Sequence, residues 1–141
     1  MRSLLGGRAA ESMVFGTVTT GASNDIQQAT GLARNMVALY GMSDELGLMA
    51  TATVRSQYLE GEAHLDCSQE TAAKVDAVVQ KLLDEAYAAA KQLLTENRSL
   101  LDEISEYLLL KETITGDDLM RFVNAEKNPP AEEITEEVSE E

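Results

Sequence analysis

Few residues in this chain of 141 are suited to chemistry: it holds one histidine, His64, and one cysteine, Cys67. A zinc site needs three or four Cys, His or carboxylate donors, and His64 lies in the polar stretch EGEAHLD with no second ligand at helical spacing. It reads as a solvated surface histidine. Cys67 has no partner for an intrachain disulfide and reads as incidental. The chain has no Gly-x-x-x-x-Gly-Lys loop, no Gly-x-Ser-x-Gly elbow, no Cys-x-x-Cys pair and no His-Glu-x-x-His helix.

The stretch TTGASND, residues 19 to 25, offers more, because a helical pattern begins directly behind it. Ser23 can accept a hydrogen bond from first-turn amides, and the Asp25 carboxylate suits the positive end of a helix. Asp25 also lies four residues before Ala29 and seven before Leu32, on the border of the buried stripe, where a carboxylate can point inward. An inward carboxylate needs a metal, a cation or several donors, and no cation stands close by in the sequence. Helix cap and buried ligand both stand on the residues alone.

The elements that must position these residues follow from composition and periodicity. The length is that of one ordinary domain. With 44% hydrophobic residues, 4% aromatic and no Trp, the core must be filled by Ala, Leu, Val and Met, which suits packed helices. A net charge of −14, with no basic stripe, repels a phosphate backbone and argues against a nucleic-acid partner. No apolar run reaches the roughly 20 residues that span a bilayer, and no signal peptide is visible, so the chain itself is expected to be soluble.

SLLGGRAAESMVFG predicts a short helix with Leu5, Ala9 and Met13 on one stripe, Ser3 as cap and Gly16 as stop. Gly6 and Gly7 within it point either to a closely approaching neighbour or to a kinked start. A second helix is predicted from about Asn24 to Tyr40, ended by Gly41. Between 42 and 67 the helical period is lost: TATVRSQYL suits a strand, while GMSDELG and EGEAHLD read as turns. From Ser68 a helix roughly 40 Å long carries Ala72, Val75, Val79, Leu82, Leu83, Ala86, Ala90, Leu93 and Leu94 on one face. Past Asn97, RSLLDEISEYLLLKE is expected to form its antiparallel partner. Thr115 and Asp118 have capping-box-like spacing before a last short helix. The predicted fold is therefore mainly α, a helical bundle with a long antiparallel helix pair over residues 1–127 and a short strand or loop region at 50–66. Residues 128–141, with six glutamates between Glu132 and Glu141 and no basic residue, read as a disordered acidic tail.

Taken together and in order, LLGGRAAE, VTTGASND and LARNMVALYGMSDELG closely resemble the peptidase domain of the FtsH family, membrane-anchored ATP-dependent zinc metalloproteases. The likeness continues through CSQETAAKVDAVV, LLTEN and KETITGDDL, and so covers about residues 3 to 124.

The resemblance implies that Asp25 is the third zinc ligand, beside two histidines of a His-Glu-x-x-His helix, leaving the fourth position for the water to be activated. It implies that Glu11 orients a zinc-bound histidine from behind; a plain surface pair of Arg8 with Glu11 is the bland reading. Ser12 stands where family members often have a second glutamate, which puts the role of that position in doubt. The chain starts downstream of the metal helix and of the ATPase module, so we expect the C-terminal part of a protease domain, with no catalytic residue of its own and inactive alone. Zn²⁺ would belong to the complete domain and ATP to the absent module. The implied parent is a homo-hexamer that degrades protein substrates at the cytoplasmic face of a bacterial inner membrane, anchored through segments absent here. The competing expectation is a non-catalytic helical interaction module on the same scaffold.

Overall fold

The computed structural model describes residues 1–54 and 63–127. The acidic tail and the stretch 55–62 lie outside the described residues. Two compact units divide the chain, Met1–Glu96 and the residues from Asn97 onward.

The first unit contains α1 (Arg2–Phe15), α2 (Ser23–Arg34) running into a π-helical turn (Asn35–Leu39), a two-stranded antiparallel ribbon of β1 (Ala52–Val54) and β2 (Ala63–Leu65), and α3 (Gln69–Glu96). The predicted stops hold: Gly16 and Gly41 both adopt left-handed φ, 64° and 62°, where a side chain would be strained. Ser68 starts α3 as expected, its hydroxyl accepting the N–H of Thr71 at 3.2 Å. Ser3, in contrast, lies inside α1, which begins at Arg2 with no side-chain cap.

Small residues let the helices of this unit lie close. Ala9 on α1, Ala29 and Ala33 on α2, and Ala86 and Ala90 on α3 are all buried, with Leu5, Val37, Val75, Val78 and Val79 filling the space between them. Met1 and Leu5 pack in clusters that include Leu83 and Ala86, and the Thr95 hydroxyl reaches the Met13 sulfur, so α1 and α3 run in the same direction. Ile26 packs with Leu83 and Tyr87, whereas Arg34 pairs with Asp76, so α2 runs against α3. Within this unit the antiparallel partner of α3 is therefore α2, whose buried Ala29 and Ala33 lie on the face turned to the α3 stripe. A Cβ placed on Gly6 or Gly7 would meet nothing within 4 Å, so no described neighbour approaches either glycine closely, and α1 continues through both.

In the 42–67 region, GMSDELG forms the expected turn, with the Gly47 N–H donating to the Ser43 carbonyl at 2.9 Å. EGEAHLD departs from expectation. Its residues 63–65 pair as a strand with β1, Thr53 opposite His64, because the backbone groups of the β-branched segment need a partner. Thr51, fully buried, ties this ribbon to the π turn: its N–H donates to the Ala38 carbonyl and its carbonyl accepts from the Asp66 N–H, both at 2.8 Å.

The second unit pairs α4 (Arg98–Lys111) with α5 (Gly116–Lys127). Tyr107 and Phe122 meet edge to face at 5.2 Å. The capping box predicted at Thr115 is present, with the Asp118 N–H donating to the Thr115 hydroxyl oxygen at 3.2 Å and that hydroxyl donating to the Asp118 carboxylate at 2.7 Å. No α4 residue is buried, and Leu109 and Leu110 are more than four-fifths exposed.

Candidate functional site

Both residues singled out by sequence lie in the first unit, Glu11 on α1 and Asp25 in the first turn of α2. Between them runs the loop Gly16–Ala22, and its anchorage is the main feature of the site. The Thr19 hydroxyl donates to Glu11 Oε1 at 2.5 Å, and the Thr19 N–H donates to Glu11 Oε2 at 3.3 Å. Arg8 Nη1, one helical turn earlier, stands 3.6 Å from the same Oε2. The Thr19 hydroxyl holds the Glu11 carboxyl below the usual carboxylate range, helped by the Thr19 amide and the Arg8 charge, while burial opposes them.

The grip continues along the loop. Thr19 Oγ1 accepts the N–H of Gly21 at 3.2 Å. A Cβ on Gly21 would stand 3.3 Å from that oxygen and 3.4 Å from Glu11 Oε1, close enough to press on the clamp. Ala22 is buried, the Ser23 N–H donates to the Thr20 carbonyl at 3.1 Å, and the Ile26 N–H donates to the Ala22 carbonyl at 3.0 Å. α2 therefore begins one residue before the predicted Asn24. Ser23 is its first residue and not its cap; that place is taken by Ala22, and no side chain caps the helix. The turn closed by the Thr20 carbonyl draws Ser23 into the helix and away from the capping geometry.

Asp25 is half-buried, and among the described residues its carboxylate makes no hydrogen bond or ion pair. It is free to serve as an oxygen donor to zinc, which accepts Asp as readily as His. The described residues do not complete a metal site: no group of three or more His, Cys, Asp or Glu side chains converges among them. A single carboxylate of this kind is compatible with zinc only as one donor among the three or four the metal takes. A groove of about 310 Å³ is lined by Leu5, Arg8, Ile26, Leu83, Asp84 and Tyr87. Arg8 Nη1, the atom facing Glu11, is buried without a hydrogen bond. Sequence reasoning singled out Glu11 and Asp25 but not Thr19 and Gly21, which are brought to Glu11 by a contact across eight residues that no local periodicity announces.

The model of peptidase family M41 matches residues 1–122. The chain belongs to this family. Among M41 relatives, the ATP-dependent zinc metalloprotease FtsH of Lancefieldella parvula is 50% identical over 123 residues, which are 87% of this chain and 19% of that protein. The FtsH of Clostridium perfringens is 46% identical over 138 residues, 98% of this chain and 19% of that protein. The FtsH of Thermotoga maritima is 46% identical over 129 residues, 89% of this chain and 21% of that protein. The chain spans about a fifth of the length of these curated relatives. The M41 match covers the whole first unit and most of the described second unit. Among the described residues no helix is long and apolar enough to cross a membrane.

Proposed function

We propose that this chain is the portion of an M41 zinc peptidase domain that supplies the aspartate ligand, Asp25, within an ATP-dependent protease that degrades unfolded or membrane proteins. The observation that carries the reading is a half-buried carboxylate with no partner among the described residues, held at the start of α2 in a chain half identical to a zinc metalloprotease. An ordinary cap would satisfy amides of the first turn; no side chain does so here.

Asp25 would hold the metal through its carboxylate, together with two histidines that this chain, with His64 as its single histidine, does not supply. Zinc, when bound, supplies Lewis-acid activation of water for attack on a peptide bond. Glu11 supports the site from α1, with lone pairs beyond those used by Thr19 and Arg8 available for a ligand histidine. ATP acts in a separate module, and the parent assembles as a homo-hexamer anchored at the cytoplasmic face of a bacterial inner membrane.

Elemental analysis of the full-length protease that carries this segment tests the reading. One zinc per chain is expected, with a sharp fall in Asp25→Asn. Unchanged zinc in that variant would make Asp25 a plain helix-start residue and the segment a helical module.

A further inference from the structure

We propose that Thr19 is the positioning residue for Asp25: clamped to Glu11, it sets where α2 begins and so where the Asp25 carboxylate stands. The inference rests on the reading of Asp25 as a zinc ligand.

Asp25 has no hydrogen bond or ion pair of its own among the described residues, so its side chain is placed by its backbone. That backbone is fixed link by link from Thr19 onward. Thr19 binds Glu11 through both its hydroxyl and its N–H, the Gly21 N–H returns to the Thr19 hydroxyl, and Ser23 closes a turn on Thr20. Ala22 is buried and its carbonyl accepts the N–H of Ile26, one residue past Asp25 in α2. The hydroxyl is the hub, a donor to Glu11 and an acceptor from Gly21 at once. The base is rigid, since Glu11 rides on a helix anchored by Leu5 and the fully buried Ala9. Metal ligands are generally held by outer contacts that restrict their orientation; here the restriction comes from six residues away through the main chain.

Removing the hydroxyl while keeping the branched shape, Thr19→Val, breaks both hub contacts; Thr19→Ser keeps them. In the full-length protease, zinc affinity measured by competition with a chelator is expected to fall about 10- to 100-fold in Thr19→Val and to recover in Thr19→Ser. The visible bands of the cobalt-substituted protein, which report ligand geometry, shift in the first variant and return in the second. Gly21→Ala, which crowds the same hydroxyl, gives a smaller change of the same sign and serves if Thr19→Val does not fold. Parent-like zinc affinity and cobalt bands in Thr19→Val, with zinc lost in Asp25→Asn, would overturn the inference and leave the ligand reading intact. Parent-like zinc in Asp25→Asn would overturn both.

Discussion

Glu11 with Thr19 and Asp118 with Thr115 are the same chemical device built twice, once in each unit. In both, a carboxylate accepts from a threonine hydroxyl and from the same threonine's N–H. The Asp118 clamp spans three residues and closes a helix start on itself; the Glu11 clamp spans eight and pins a loop onto a neighbouring helix. The first kind needs only a helix to form. The second needs α1, the Gly16 stop and the core beneath them to be in place, so it can carry positional information that a local cap cannot.

The most severe way to break the comparison is to remove the support under one clamp. Leu5→Ala, deleting a buried anchor of α1, is expected to lower stability by about 3 kcal/mol in denaturant unfolding and to speed amide exchange at Thr19 and Gly21. The corresponding truncation in the second unit, Leu109→Ala at an exposed position of α4, is expected to stay within about 0.5 kcal/mol. Equal losses would mean that the two units share a level of packing their burial does not suggest.

A smaller effect sharpens the local side. Thr115→Ala removes the cap of α5 and is expected to cost about 1 kcal/mol, read as faster exchange in the first turn of that helix with Thr19 unaffected.

Acid provides the mildest test. Both carboxyls are held below their ordinary values, 4.5 for Glu11 and 3.8 for Asp118, in each case first by the threonine hydroxyl and then by its amide. A carboxyl with a depressed folded value binds protons more readily in the unfolded chain. Each clamp therefore contributes fully above the ordinary value, and its contribution is lost as pH falls through the lower folded value. The Thr19 and Thr115 amide protons, followed by NMR, are expected to titrate with midpoints below 4.5 and 3.8 respectively.

The legibility of the two clamps differs for the same reason as their function. Thr115 and Asp118 announce themselves because a helix places residues three apart on one face. Nothing in the spacing of Glu11 and Thr19 does so, and the sequence placed Glu11 only through its resemblance to a metalloprotease family. Ser23 shows the converse error: its type suits a cap, yet the turn closed by Thr20 draws it into the helix. EGEAHLD reads as a turn by composition, yet its residues 63–65 become half of a ribbon because β1 offers them a partner.

By itself the sequence determined what depends on a few consecutive residues: the helices and their stops at Gly16 and Gly41, the start of α3 at Ser68, the capping box at Thr115, and the motifs that mark the M41 family. The tertiary structure alone decided which helix lies against which, that β2 exists, and that Thr19 meets Glu11. Local contacts are dictated by the fixed geometry of a helical turn. The others depend on where the chain reverses and which apolar faces fit, and here the matching alanine faces of α1, α2 and α3 made that choice.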